Sequence, residues 1–203
     1  MKNVYFIGIG GIGMSALARY FKCKGYAVSG YDKTPSDITA ALVREGIGVH
    51  YEDRPDLVPA DAAETLVIYT PAIHALKELD LVREKGYRVV KRAFALGEVA
   101  KGQRCLAVSG THGKTTTSTL TAHIFTESGE GCSAFLGGIS RNYGTNLLVG
   151  DNPVVWPRPM NSTVPSTAST RKSPWSPPST PTIWTSTATT PMCWKPSGSS
   201  PPR

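Results

Sequence analysis

Two short glycine-containing segments of the sequence carry residue types that bind phosphate. The first, GIGGIG at residues 8–13, follows an apolar run with β-branched and aromatic residues. In such a turn Gly8 would allow the tight bend, Gly10 would let the backbone approach a diphosphate, and Gly13 would let the next helix pack against a strand. The helix N-terminus would offer unpaired N–H groups to the anion. We predict nucleotide binding by four glycines: Gly8, Gly10, Gly11 and Gly13. A purely structural turn is the alternative.

An acidic residue lies at the sequence distance that a ribose contact requires. Asp32 ends the next predicted strand, 19 residues after Gly13, where its carboxylate would accept a hydrogen bond from a ribose hydroxyl. The preceding strand, the following helix and the acidic residue make this pattern more specific for nucleotide binding than the glycines would be alone. An NAD(P)-binding Rossmann oxidoreductase would use the same pattern, so this class of enzyme stays an alternative.

The second segment is SGTHGKTT at residues 109–116, and it follows the apolar run at 106–108. Successive backbone N–H groups would surround phosphate oxygens, Lys114 would place its ammonium at the β- and γ-phosphates, and Thr115 would offer its hydroxyl to Mg²⁺. The spacing departs from the common P-loop, which would have glycine at Val108. We assign ATP binding to Gly110, Thr111, His112, Gly113, Lys114, Thr115 and Thr116. The alternatives are a Lys/Thr-rich helix start and a P-loop switch or binding module.

Other polar residues give weaker signals. His112 would act beside the phosphates or make only a structural hydrogen bond. Three further histidines are isolated in the sequence, and for each a packed or surface position is favoured over a role as ligand: His50, His74 and His123. Residues 137–138 and 142–146 form a polar loop on the same side as the second segment, where the loop contacts substrate or simply connects two strands.

Alternating strands and helices must position these segments. Short apolar runs predict strands at 3–9, 26–31, 47–50, 65–70 and 88–90, and the residues between them predict helices at 12–24, 36–45, 76–85 and 94–100. Such alternation implies parallel pairing with right-handed crossovers. We therefore predict an α/β fold whose first domain, residues 1–100, is a doubly wound parallel, Rossmann-like sheet.

A second α/β unit is predicted after a linker at 101–102. It comprises a strand at 104–109, a helix at 114–128, a strand at 133–136 and the beginning of a strand at 153–155. Because that last strand does not develop, we interpret residues 101–155 as the truncated start of a P-loop, ATP-binding domain.

The composition changes abruptly after residue 155. Of the 48 residues at 156–203, 30 are Pro, Ser or Thr and none is Asp or Glu. Without hydrophobic periodicity such a segment cannot bury enough apolar surface to offset chain entropy, so a disordered tail is predicted. The tail also holds five of the 22 Lys and Arg residues, and residues 1–155 carry a net charge of only +2. The overall charge of +7 therefore predicts no nucleic-acid partner.

Cysteine spacing and the N-terminal run indicate the compartment. Cys23, Cys105, Cys132 and Cys193 show no paired short spacing, which excludes zinc ribbons, thioredoxin motifs and a disulfide framework. The uncharged run at 3–18 is rich in glycine and too short to span a membrane. We expect a cytoplasmic protein with reduced thiols and no membrane partner.

The two segments in succession resemble the Mur ligase family of bacterial cell-wall synthesis, and GIGGIGMS at residues 8–15 is most similar to its alanine-adding branch. YTPAI at 69–73 and KRA at 91–93 are also similar to family segments. The resemblance implies that the first domain binds a UDP-sugar, rather than a nicotinamide cofactor, through the glycine turn together with Asp32, Thr70, Pro71 and Ala72. It implies that the second domain binds ATP and Mg²⁺ through residues 110–116.

The implied reaction joins L-alanine to UDP-N-acetylmuramate in peptidoglycan precursor synthesis. The γ-phosphoryl group of ATP would first activate the sugar carboxylate as an acyl phosphate. Lys114 is then the predicted catalytic residue, since it would stabilise charge on the transferring group, and Thr115 is the predicted metal ligand. Another amino-acid-adding member of the family is the nearest alternative.

The family pattern breaks at residue 156. The resemblance implies an acidic stretch of the type Ala-Glu-Ala-Asp-Glu after Val155 and a later His-Leu-Asp segment, whose glutamate and histidine are implied Mg²⁺ ligands. In a shifted reading frame, each codon consists of the last base of one present codon and the first two bases of the next. The residue pairs at 156–157, 160–161, 184–185, 192–193 and 194–195 then allow only Ala, Glu, Asp, Val and Glu, and neighbouring pairs permit the remaining residues of both motifs. We hypothesise that residues 156–203 are a frameshift product, with a genuine Pro/Ser/Thr-rich linker as the alternative. Without those ligands and the family's third domain, little or no ligase turnover is expected from this chain.

Overall fold

The computed structural model describes residues 1–73, 76–101, 103–109, 112–150, 154–157 and 182–186. Its first region contains five strands, β1 (Asn3–Ile7), β2 (Ala27–Tyr31), β3 (Gly48–His50), β4 (Thr65–Tyr69) and β5 (Arg88–Lys91). They are connected by the helices α1 (Ile12–Cys23), α2 (Asp37–Arg44) and α3 (Lys77–Glu84), with a short 3-10 helix at Pro55–Leu57, and followed by α4 (Arg92–Ala100). All strands are parallel, in the order β3-β2-β1-β4-β5. The predicted doubly wound α/β domain is thus confirmed.

The central strand β1 is apolar because helices cover both faces of the sheet. Val4 and Phe6 belong to the core under α1 and α4, whereas Tyr5 and Ile7 belong to a second core under α3. All four side chains are fully buried. A continuous apolar run is typical of a parallel strand buried on both faces, and the reversal of strand order beside β1 places a crevice at its carboxyl end.

The second region begins with β6 (Arg104–Ser109) and α5 (Lys114–Glu127), and continues with β7 (Ser133–Phe135), β8 (Leu147–Leu148), β9 (Val154–Pro157) and β10 (Thr182–Ser186). The strand order is β10-β6-β9-β7-β8. Strand β9 pairs in parallel with both β6 and β7, whereas β8 and β10 pair antiparallel with β7 and β6. This region is therefore a mixed sheet with the predicted βαβ start.

Three elements differ from the sequence-based expectation. The beginning of a strand at 153–155 is a full strand, β9, and the hairpin partner β8 was not expected because two residues carry no periodicity. The predicted disordered tail from residue 156 is contradicted at residues 156–157, which end β9, and at Thr182–Ser186, which forms β10 along the free edge of β6. Its Thr-Ile-Trp-Thr sequence has the β-branched and aromatic residues that favour a strand. The other residues of the predicted tail lie outside the described part of the chain.

Two global features concern membranes and thiols. Within the described residues, no helix has the length and hydrophobicity needed to cross a membrane. The described cysteines, Cys23, Cys105 and Cys132, are free thiols.

Candidate nucleotide-binding site

The glycine turn connects the carboxyl end of β1 to α1. Gly8 has φ +88°, a left-handed conformation that L side chains rarely adopt. The N–H groups of Gly8 and Ile9 both donate to the Tyr31 carbonyl, at 2.8 and 3.0 Å. This pairing ends β1 at Ile7 rather than at the expected residue 9. The predicted role of Gly8 in the tight bend is consistent with this geometry.

Asp32 is built into the turn itself. Its Oδ2 accepts a hydrogen bond from the Gly10 N–H at 2.6 Å, and its Oδ1 accepts one from the Thr34 N–H at 3.1 Å. A side chain at Gly10 would meet this carboxylate at 2.8 Å. The carboxylate therefore fixes the loop backbone, a role that the ribose prediction did not include, and it keeps further lone pairs for a hydroxyl donor.

The amides left for an anion lie at the first turn of α1. Gly11 is the N-cap of this helix, and no side chain caps its N–H groups. Since Gly8, Ile9 and Gly10 donate to protein acceptors, the turn presents the N–H groups of residues 11–13, which helix geometry leaves without intrahelical acceptors. Gly11 is exposed and Gly13 half-buried. A diphosphate at this position would also interact favourably with the helix dipole.

Gly13 has a different neighbour from the one expected. A Cβ at this position would lie 2.6 Å from Nη1 of Arg92, so the glycine makes room for a guanidinium at the start of α4 rather than for a strand. Arg92 and Gly13 line a small cavity of about 140 Å³ together with Ile12, Ala16, Leu96, Phe135 and Leu136. A cationic side chain therefore lies beside the predicted phosphate position.

The predicted segment at 70–72 packs on the glycine turn. A Cβ at Gly8 would lie 2.7 Å from Thr70 Cγ2, and the Thr70 N–H donates to the Ile7 carbonyl at 3.3 Å. Pro71 and Ala72 follow in an exposed turn. Thus the structure brings Gly8, Asp32 and Thr70 together at the carboxyl edge of the first sheet.

The second turn lies between β6 and α5. Gly113 is the N-cap of α5 with φ +74°, and Lys114 is the first helical residue. Lys114 and Thr115 are half-buried, whereas His112 and Thr116 are exposed. Gly110 and Thr111, also predicted to bind ATP, lie outside the described residues. The described part therefore has the left-handed glycine and the helix N-terminus that a phosphate loop needs.

The polar loop at 137–146 approaches the second turn. A Cβ at Gly138 would lie 3.8 Å from Thr115 Cγ2, which is ordinary van der Waals contact. Of the other histidines, His123 bonds to Tyr143 through Nδ1 at 2.7 Å, and His74 lies outside the described residues. In the described part of the chain no three His, Cys, Asp or Glu side chains form a group that could hold a metal ion.

A buried acid near the first site was missed by the sequence analysis. Glu78, in the first turn of α3, is fully buried. It accepts hydrogen bonds from Tyr5 Oη at 2.6 Å and from the Arg54 N–H at 2.9 Å, and its Oε1 lies 2.9 Å from His50 Nε2. Burial, together with the bond to Glu78, raises the pKa of Tyr5 far above its usual value. His50 is therefore a packed residue, as predicted. Nothing in the sequence pattern indicated that Glu78 is buried, because a glutamate in a helix is usually exposed.

Comparison with known proteins assigns these features to one family. The model of the Mur ligase family, catalytic domain, matches residues 3–104. The chain is 57% identical over 155 residues to a UDP-N-acetylmuramate–L-alanine ligase of Porphyromonas gingivalis and 54% identical over 156 residues to that of Phocaeicola vulgatus. These matches cover 74% and 75% of the chain and 34% of each relative. The chain thus spans about a third of the length of the curated relatives that it matches.

Two solved structures have the same fold over most of the chain. One is a UDP-N-acetylmuramate-alanine ligase of Thermotoga maritima, with a TM-score of 0.68 and 31% identity, covering 77% of this chain and 37% of that one. The other is a UDP-N-acetylmuramate:L-alanyl-γ-D-glutamyl-meso-diaminopimelate ligase of Neisseria, with a TM-score of 0.69 and 26% identity, covering 77% of this chain and 52% of that one.

Proposed function

Because this chain belongs to the Mur ligase family, we propose that it carries the UDP-sugar site and the beginning of the ATP site of a ligase that joins L-alanine to UDP-N-acetylmuramate. Relatives more than 50% identical carry the name of that activity, which favours alanine over the amino acids added by other members. The same relatives favour the ligase over a nicotinamide-dependent oxidoreductase. Since ATP and a UDP-sugar are cytoplasmic metabolites, we also propose a cytoplasmic location.

One observation carries this proposal. Two turns, each connecting a strand to a helix N-terminus and each containing a left-handed glycine, lie in one chain. The first, with amides of residues 11–13 and the neighbouring guanidinium of Arg92, suits the diphosphate of a UDP-sugar. The second, at Gly113 and Lys114, suits the triphosphate of ATP. A dehydrogenase or a P-loop switch needs only one of the two.

The proposed chemistry requires activation of a carboxylate. A carboxylate is a poor electrophile, so its oxygen attacks the γ-phosphorus of ATP and ADP leaves. Attack by the alanine amine on the resulting acyl phosphate then forms the amide and expels phosphate. Lys114 would hold positive charge against the phosphoryl oxygens during the transfer, and the α5 amides would add fixed donors. Removal of one such donor in a comparable site costs about 3–4 kcal/mol of transition-state stabilisation.

The residues present fit a Mg²⁺ ion only in part. A magnesium ion prefers six oxygen ligands and usually keeps several waters beside substrate phosphates. Thr115, at the second position of α5, would supply one hydroxyl oxygen, and it lies beside the polar loop, where a Cβ at Gly138 would be 3.8 Å from its Cγ2. The ion would supply charge neutralisation at the phosphates.

We propose domain boundaries at residues 1–100 for the UDP-sugar domain and 101–155 for the start of the ATP domain. The relatives match 74% and 75% of this chain, and a quarter without counterpart is what a change of reading frame near residue 156 would leave. Resequencing of the coding DNA across codons 150–160 tests this. A single intact frame through the tail in independent clones would exclude a frameshift.

Calorimetric titration of the 203-residue chain tests the proposed function. We expect UDP-N-acetylmuramate to bind with a stoichiometry of one and NAD to fail as a competitor. The variant Gly11→Val, which places a side chain over the exposed amides, should weaken this binding by at least tenfold, whereas Gly97→Val, in open space on α4, should leave it unchanged. Tighter binding of NAD than of the UDP-sugar would overturn the proposal.

A further inference from the structure

The two candidate phosphate sites are joined by one buried polar contact. Asn146, at the end of the polar loop of the second region, is fully buried. Its Nδ2 donates to the Ile12 carbonyl at 2.7 Å and to Ser15 Oγ at 2.9 Å. Both acceptors belong to the first turn of α1, and Ile12 is itself part of the glycine turn at residues 8–13. The side chain of one region thus bonds to the phosphate-binding helix end of the other.

Arg19 completes this contact from the middle of α1. Its Nη1 donates to Asn146 Oδ1 at 2.5 Å, and its Nε and Nη2 form a forked pair with Glu45 at 2.8 to 3.0 Å. Because a guanidinium only donates and a carbonyl only accepts, this chemistry fixes which way the Asn146 amide is turned. Every polar atom of the amide is therefore used, and such fully satisfied buried networks impose one arrangement.

The opposite end of the same loop lies beside the ATP site, since a Cβ placed at Gly138 would be 3.8 Å from Thr115 Cγ2 on α5. The Leu136 N–H donates to the Asn146 carbonyl at 2.9 Å. Seven residues, 139–145, therefore connect the part of the loop beside Thr115 to Asn146. Apolar packing supports this connection, since Phe135 and Leu147 belong to the same core as Leu17 of α1.

We propose that Asn146 is a positioning residue that couples the two sites by fixing the polar loop against the first turn of α1. The inference rests on the proposed function of those sites. Ordering of the loop by ATP at Thr115 would hold the amides of residues 11–13 in their binding arrangement, so a nucleotide at one site raises affinity at the other. Such coupling is reciprocal by thermodynamic linkage.

A coupling measurement tests this role on the 203-residue chain. The dissociation constant of UDP-N-acetylmuramate is measured by calorimetry with and without Mg²⁺ and a non-hydrolysable ATP analogue. We expect the analogue to tighten binding at least fivefold in the unmodified chain, the lower end of usual coupling. In Asn146→Ala the ratio of the dissociation constants without and with the analogue should fall below about twofold, which is less than the usual range of coupling. The matched control Asn142→Ala, an exposed asparagine of the same loop, should keep the full ratio.

A milder variant covers the case in which Asn146→Ala does not fold. Ser15→Ala removes one acceptor of the Asn146 amide and leaves the Arg19 bond, so its coupling ratio should lie between that of the unmodified chain and that expected for Asn146→Ala. A purely structural role would lower the melting temperature and weaken both ligands in parallel with an unchanged ratio, and this result would overturn the inference. Binding of both ligands without coupling in the unmodified chain would overturn the inference alone, whereas no binding of either would overturn the proposed function with it.

Discussion

The glycine turn at residues 8–13 and the turn before α5 have similar local geometry, but the helices that follow them pack very differently against the rest of the protein. Helix α1, which follows the first turn, buries eight consecutive residues from Met14 to Phe21. Helix α5 buries only Ser118 and Ala122, and Leu120 and Ile124 are 58% and 64% exposed. The local geometry of a glycine turn is therefore specified by a few neighbouring residues, while the rigidity of its surroundings depends on remote packing.

The hydrogen bonds of the two helices show the same contrast. In α5 the hydroxyls of Ser118, Thr119, Thr121 and Thr126 each donate to the carbonyl four residues earlier. Such back-bonding satisfies hydroxyls within the helix but adds no tertiary contact, and it slightly destabilises helices. In α1 the Ser15 hydroxyl also donates within its helix, to the Ile12 carbonyl, but it accepts a bond from Asn146 of the second region, and Arg19 bonds to Glu45 at the end of α2. We expect the first region to hold its ligand geometry better than the second.

The largest effect should come from filling the space at Gly8. The change Gly8→Ala combines left-handed strain with a contact of 2.7 Å to Thr70, and we expect a loss of about 3 kcal/mol in unfolding free energy. The matched change Gly129→Ala, at φ +81° in open space after α5, should cost only about 1–2 kcal/mol. Urea denaturation measures both. Equal losses would show that Thr70 does not restrict the first turn.

Loss of the Lys114 ammonium should have the next largest effect. We expect Lys114→Ala to weaken ATP binding by about tenfold, equal to ~1.4 kcal/mol, while binding of UDP-N-acetylmuramate changes less. Lys85→Ala, an exposed lysine at the end of α3, serves as control and should alter neither affinity. Calorimetric titration with both nucleotides distinguishes the sites. A parallel loss of both affinities in Lys114→Ala would argue against separate binding sites.

A smaller effect is expected at Asp32. The variant Asp32→Asn keeps the side-chain shape but replaces one of the two oxygens that accept from Gly10 and Thr34, so we expect a stability loss of about 1 kcal/mol. Binding of the UDP-sugar should weaken in parallel because the loop backbone moves. The change Glu52→Gln, an exposed carboxylate, should have no such effect. Unchanged stability in Asp32→Asn would show that the carboxylate does not hold the turn.

The smallest effect concerns alkylation of the thiols. The alkylation rates of two cysteines compare how tightly the two regions are packed around them. Cys23 is exposed at the end of α1, whereas Cys132 lies in the core of the second region with Val108 and Ala134. Burial raises the pKa of the Cys132 thiol, so less thiolate forms there at a given pH and reaction with iodoacetamide should be slower. Peptide mapping by mass spectrometry should find Cys23 modified first, and the rate at Cys132 should keep rising at pH values above the usual pKa of a thiol. Equal rates would mean that the core around Cys132 is not packed in solution.

The local pattern predicted the strands, helices and glycine turns, but not the pairs that hold them. Strand β6 has the predicted bounds, because its apolar run lies between polar residues. The spacing placed Asp32 near the glycine turn but did not predict its hydrogen bond to the Gly10 N–H. Arg92, which occupies the space beside Gly13, is far away in sequence, and no spacing rule encodes this neighbour. The Asn146 network crosses between regions, so its existence depends on how two sheets pack. Strand β10 was missed because its pairing partner β6 lies more than 70 residues away.

The central claim, two distinct phosphate-binding turns in one chain, is tested most directly by following backbone amides during ligand titration by nuclear magnetic resonance. UDP-N-acetylmuramate should shift the amide signals of residues 11–13, and ATP with Mg²⁺ should shift those of residues 112–116, each with its own saturation curve. If both nucleotides shifted one set of amides, or if either ligand saturated while its own turn stayed unchanged, the account would be contradicted.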